Sequence, residues 1–271
     1  MRSTSNPAFR NLPSGQGGGY ASFGNQGGMM GGATAYADTQ ASQVDYGRAG
    51  SGGRPVTIDD IVTKTAFSAG LAVITGTLTA VSGLYLLALP AFLVGIILSF
   101  ALAFKPNWAN AGTVLAYSAL MGVALGGIAG YLETLPNMQG IGFQALVGTA
   151  GVFVGMLIVY KTGAVKVTPR FTKWMMGALI GVVVLTLARF VGEIFFPGNP
   201  MSSGGILAIL ISLVIIGVAA FSLLLDFDAA DRAVRGGAPA KFAWYIAFGL
   251  MTTLVWLYIE ILRLLSYLRS D

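Results

Sequence analysis

Phe221-Ser-Leu-Leu-Leu-Asp-Phe-Asp-Ala-Ala-Asp231 is an apolar stretch with three carboxylates set into it. A second stretch, Trp256-Leu-Tyr-Ile-Glu-Ile-Leu-Arg263, repeats the pattern with Glu260. Both read as helices rich enough in Leu, Ile and Phe to enter hydrocarbon. There an ionised side chain costs roughly 2.5–3.5 kcal/mol by insertion scales. Such residues persist where a partner, water or a cation offsets that cost. Asp228 and Glu260 are therefore the first candidates for function, and the helices carrying them set the class of the fold.

The rest of the chain agrees. Its 271 residues are 55% hydrophobic and only 10% charged, with mean hydropathy +0.74, whereas a soluble domain carries about 25% charged residues. The sequence reads as an all-α, polytopic membrane protein whose first partner is the lipid bilayer. The net charge of +5 is small, and most basic residues fall in loops, which suits membrane topology rather than nucleic-acid binding. Cysteine and histidine are both absent. This removes disulfides, thiolate nucleophiles, Ser–His and Cys–His catalysis and imidazole-bound zinc. No enzyme is expected, and no resident cofactor. Proton sensing near neutral pH falls to carboxylates with raised pKa or to a lysine with a lowered one.

Residues 1 to about 55 are rich in Gly, Ser, Asn and Gln and lack apolar periodicity. Such a segment cannot bury enough surface to offset its ordering entropy, so a disordered cytoplasmic tail is expected, followed by a seven-helix domain over 56–271. Thr57 is a candidate cap for the first helix, with Asp59 and Asp60 at its positive end. The apolar run Ile61–Phe104 exceeds one span of about 20 residues, and Ser82-Gly83 is the expected break. Spans are predicted near 61–81, 84–104, 110–132, 140–160, 173–196, 204–229 and within 242–268. Lys and Arg alternate between connections: Lys105, then Lys161, Lys166, Arg170 and Lys173, then Arg232, Arg235 and Lys241 lie on one side. By the positive-inside rule the amino terminus is cytoplasmic and the carboxyl terminus outside, in the plasma (inner) membrane. In the third span, Gly122, Gly126 and Gly130 line one face and invite close approach of another helix. Gly151 and Gly155 are expected to repeat the device.

The acids differ in placement. At 100° per residue, Asp226 and Asp228 point about 200° apart, while Asp231 shares a side with Asp228. Pairing of these aspartates with Arg232 or Arg235 is the structural alternative to a functional role. Glu260 sits about 27 Å up its span if the helix starts at Phe242, and about 18 Å up if it starts near Phe248. At the higher position it could meet Arg189, whose own helix carries Glu193 one turn on as an alternative ion-pair partner. A bridge to Arg263 is the other structural reading. Lys105 closes the second span at the membrane face that carries Asp228. A straight hairpin turning at Gly236-Gly237-Ala238-Pro239 would set Asp228 and Glu260 apart by nearly 20 Å along the axis. Contact between them needs a kink, a tilt or a last helix that begins outside the bilayer.

With these residues in view, the sequence resembles the transmembrane Bax inhibitor motif family, in its bacterial Bax-inhibitor-like branch. The marks are Phe221-Ser-Leu-Leu-Leu-Asp-Phe-Asp228 and Leu257-Tyr-Ile-Glu260, followed by Leu264-Leu265 and Arg269. The resemblance spans about residues 60–268. It implies a seven-transmembrane-helix bundle with the last helix central and a proton-regulated calcium leak. Asp228 and Glu260 would then be the pH sensor and a transient Ca²⁺ site, and Lys105 the latch. The expected function is a pH-regulated calcium (cation) leak channel gated by intramembrane carboxylates. The competing expectation is a non-conducting regulator that binds another membrane protein, such as a membrane protease.

Overall fold

The computed structural model describes residues 54–195 and 205–270. The disorder expected over the tail falls almost wholly outside the described residues, as does the connection after Phe195. Seven helices follow in order: α1 (Ile58–Val81), α2 (Ala88–Phe104), α3 (Ala111–Glu133), α4 (Ile141–Thr162), α5 (Pro169–Phe195), α6 (Ile206–Arg235) and α7 (Ala243–Ser270). Each contains a segment long and apolar enough to cross a membrane. The chain is a multi-pass, all-α membrane protein.

Local chemistry sets the helix ends. Thr57 caps α1 through a reciprocal box: its side chain accepts from the Asp60 amide, and Asp60 accepts from the Thr57 amide. Asn110 and Thr113 do the same for α3, satisfying amides that have no partner in the first turn. The break between α1 and α2 falls at Ser82-Gly83 as predicted. The largest departures from the predicted bounds are α6, which runs on to Arg235, and the starts of α2 and α5, which move to Ala88 and Pro169. Asp226, Asp228 and Asp231 therefore lie within a continuous helix, not at its frayed end. That helix stops where Gly237 takes φ 65° and the Ala238 amide returns to the Ala233 carbonyl at 3.0 Å. A residue with a side chain resists this left-handed turn, and Pro239 prevents resumption of the helix.

Packing follows the small residues where they face a neighbour. A Cβ at Gly126 would lie 2.0 Å from the Gly76 carbonyl oxygen, and one at Gly122 would lie 2.3 Å from that of Ala72. Thus α1 and α3 touch backbone to backbone, and Thr75 donates across the contact to the Ala119 carbonyl at 3.2 Å. The expectation for Gly151 and Gly155 is corrected: a Cβ on either would meet nothing within 4 Å. Four-residue spacing shows that two glycines share a face, not which way it points, and on α4 that face is exposed.

Two apolar clusters form the interior. One joins α3, α4, α6 and α7 through residues including Leu223, Leu224, Phe227, Leu257 and Ile261. The other joins α2, α3 and α7 around Leu102, Tyr117, Met121 and Phe248. The last helix contributes to both and packs against α1, α3, α4 and α6. Large apolar side chains left exposed, such as Ile97, Phe100 and Val184, make the surface that hydrocarbon covers.

Order also begins slightly before the predicted boundary. Arg54 and Pro55, assigned to the tail by composition, already belong to the fold. The Val56 amide donates to the Ala238 carbonyl at 2.8 Å, and the Ala240 amide donates to the Arg54 carbonyl at 3.0 Å. Arg54 also holds Asp60 through two hydrogen bonds of 2.7 and 2.9 Å. These contacts staple the start of α1 to the α6–α7 turn, and Lys64 reinforces them by donating to the Ala240 carbonyl at 2.8 Å. Composition missed the bonds to Ala238 and Ala240 because they join backbone to backbone and carry no side-chain signature.

Candidate functional site

The acid-bearing face lies where α6 packs on α7. Thr253 donates to Asp226 at 2.6 Å, a hydrogen bond that crosses between the two helices. Asp228 points elsewhere, as the 200° offset requires, and pairs with Arg232 on its own helix at 2.8 Å. Asp231 pairs with Arg235 at 2.7 Å and accepts a longer contact from the Tyr160 hydroxyl on α4 at 3.5 Å. All three carboxylates stand within about 15 Å of the α6 carboxyl end, and each has a partner.

Glu260 occupies a second centre. The last helix starts at Ala243, so Glu260 lies about 26 Å along it, the higher of the two predicted positions. It is only 2% exposed. One carboxylate oxygen accepts from Arg263 at 2.6 Å; the other is buried with no hydrogen-bond partner among the described residues. Arg189 of α5 is 7% exposed and donates to the Tyr267 hydroxyl at 2.5 Å, its guanidinium lying 5.9 Å from that ring. The hydrogen bond to Glu260 comes from Arg263 and not from Arg189. The Glu193 side chain proposed as its alternative partner lies outside the described residues.

The two centres share one stripe of α7. Thr253 and Glu260 are seven residues apart, hence on nearly the same face and about 10.5 Å apart along the axis. The contact of Asp226 with Thr253 fixes the register of the hairpin and sets Glu260 level with Ala219. Asp228 is then offset from Glu260 by about 14 Å along the axis. The structure does not bring these two acids together; the acid that α6 turns toward the Glu260 face is Asp226. Thr253 was missed in the sequence, although its i−7 relation to Glu260 was available. Nothing in the spacing said which of Asp226 and Asp228 would face it.

Lys105 lies 4.4 Å from the centre of the Trp108 ring, while the Asp228 bridge is made by Arg232. At the far end, Glu133 accepts from the Gly142 amide at 3.1 Å, and the Tyr258 hydroxyl donates to the Gly142 carbonyl at 3.3 Å. Arg269, at the end of α7, donates to the carbonyls of Asn137 and Gln139 at 3.3 and 2.8 Å, and to the Gln144 side chain at 2.8 Å. A terminal cation that runs against the loop-charge pattern is thus absorbed by the α3–α4 connection. No group of three or more acidic side chains converges among the described residues. Ca²⁺ takes 6–8 oxygen ligands, so a resident calcium cage is not assembled from carboxylates in this arrangement.

The motifs quoted from the sequence lie on α6 and α7, with Glu260 buried in the last helix. Over residues 6–270 the chain matches the family model described as Bax inhibitor 1 like. It belongs to that family. A comparison with curated proteins found no match. Membership covers nearly the whole chain and includes both acid-bearing helices.

Proposed function

We propose that this family member is a pH-regulated calcium (cation) leak channel of the plasma membrane, with Asp228 and Glu260 as the proton-responsive groups. The observation that carries the reading is Glu260: a carboxylate 2% exposed, with one oxygen without a hydrogen-bond partner among the described residues, in a helix packed against four others. An intramembrane carboxylate of this kind is a functional candidate by default. The two acids act at separate levels of the α6–α7 hairpin. Protonation of Glu260 would remove the charge that holds Arg263, and protonation of Asp228 would release Arg232. In the ionised state the same oxygens are hard ligands suited to a passing divalent cation, supplemented by water and backbone carbonyls. Lys105 is proposed as a latch that can exchange Trp108 for Asp228 when Arg232 leaves. The loop charge supports an orientation with the α6–α7 turn in the cytoplasm and the end of α7 outside.

Ca²⁺ entry into proteoliposomes, measured from mildly acid to mildly alkaline pH, tests this. The wild-type protein should show a pH-dependent flux, and D228N/E260Q a flux that no longer responds to pH. Equal flux for both proteins at every pH would defeat the reading.

A second reading, a non-conducting regulator of another membrane protein such as a membrane protease, draws support from the staple between residues 54–56 and the α6–α7 turn. A partner bound by the tail would act directly on the acid-bearing hairpin. Removing residues 1–53 separates the two: loss of a cellular phenotype with flux preserved favours the regulator.

A further inference from the structure

A crevice of about 300 Å³ opens between α5 and α7. Leu179, Val182, Val183, Thr186 and Leu187 form one wall and Trp256 the other. Helix α5 packs against α6, which leaves this side of it standing off α7. From Leu179 to Leu187 the wall runs about 12 Å along the helix axis. Apart from the Thr186 hydroxyl it is apolar. The volume lies at the small end of ligand pockets, about 300–1,000 Å³, and suits one aliphatic chain rather than a two-chain lipid.

Helix geometry gives the crevice a polar end. Arg189 is seven residues beyond Val182 and three beyond Thr186, so it continues their face one turn farther on. On α7, Glu260, Arg263 and Tyr267 follow Trp256 at four, seven and eleven residues and continue its face in the same way. The Arg189–Tyr267 hydrogen bond joins the two helices at this end. Arg189 is 7% exposed, and its Nη1 has no hydrogen-bond partner among the described residues. Arg263 already holds Glu260, whereas the group that Arg189 meets, the Tyr267 phenol, is neutral. A buried guanidinium without a counter-ion costs several kcal/mol, and a carboxylate matches its planar donors best. Arg189 lies about 30 Å along α5 from Pro169. The hydrocarbon core is also about 30 Å thick, so an acid held by Arg189 has its head at the interface and its chain directed back into the apolar crevice.

We propose that the α5–α7 crevice is a binding site for a free fatty acid, its carboxylate accepting from Arg189 Nη1 and its chain lying along Leu179–Leu187 against Trp256. An apolar crevice alone takes any lipid chain; the buried, uncompensated cation at its end selects one with an anionic head. The site does not rest on the leak reading, since binding is measured without flux.

Trp256 is a reporter inside the site, and the chain has only three other tryptophans. The test uses full-length W108F/W174F/W244F in phosphatidylcholine nanodiscs and follows quenching of Trp256 fluorescence by dibromostearate. Saturable quenching is expected. R189Q should raise the half-saturating concentration by at least about 10-fold. V183F, which fills the crevice and leaves Arg189 in place, should do the same. Val183 is 58% exposed, so this second variant keeps the test open if R189Q fails to insert. Quenching that never saturates and is equal in the parent, R189Q and V183F would overturn the proposal, because it would reflect partition into the bilayer only. Equal saturable quenching by the methyl ester of dibromostearate would also overturn it, since the ester has no anionic head. So would stronger saturable quenching by dibrominated phosphatidylglycerol, which would make the occupant a phospholipid.

Discussion

The hairpin of α6 and α7 carries carboxylates at two levels, and the two levels solve the same electrostatic problem differently. Near the turn, Asp228 and Asp231 each hold an arginine four residues on, with the arginines more than half exposed. Water still reaches these pairs, so their charges are cheap to keep and cheap to lose. Farther along, Glu260 is held by Arg263 three residues on, but the acid is buried and one of its oxygens has no hydrogen-bond partner among the described residues. Similar i,i+3 and i,i+4 spacing thus produces a solvated helix surface at one level and a sensitive buried charge at the other. The difference teaches that spacing defines the pair, whereas burial defines what the pair costs and what a proton can change.

The sharpest way to break this comparison is R263Q. It leaves Glu260 buried without its cation and should destabilise the protein by about 2–4 kcal/mol in detergent unfolding, the partial exposure of Arg263 keeping the cost below that of a fully buried pair. E260Q/R263Q should recover most of the loss. If R263Q is neutral, the two levels do not differ. A smaller effect is expected for T253V. It removes the hydrogen bond from α7 to Asp226 and should cost about 1–2 kcal/mol by the same measurement, with D226N/T253V showing less than the sum of the single changes. Additivity in that cycle would mean that the two helices are not coupled there. The smallest effect belongs to R232Q. As one partner of an exposed i,i+4 pair it should cost under about 0.5 kcal/mol, and a loss comparable to that of R263Q would erase the contrast.

Several parts of this architecture were legible in one dimension. The Thr57 cap, the Ser82-Gly83 break and the close face of α3 all follow from local rules about amide partners and side-chain size. The pairing of Asp228 and Asp231 with arginines one turn away was open as an alternative, because i,i+4 geometry is fixed by the helix itself. Gly151 and Gly155 show where such rules stop: the same four-residue spacing that packs α3 against α1 leaves α4 bare. Arg54 and Pro55 show a second limit, since backbone bonds to Ala238 and Ala240 carry no side-chain signal.

By itself the sequence determined seven apolar helices, the break points between most of them, and the presence of acids inside two. Those features depend on hydropathy, helix geometry and capping, all of which act over a few residues. Only the tertiary structure decided that Asp226 faces α7, that Glu260 is buried while Arg189 meets Tyr267, and that Asp228 and Glu260 stand at different heights. These depend on the rotation and register of one helix against another. Both are set by how side chains from distant parts of the chain fit together, a quantity no local window contains.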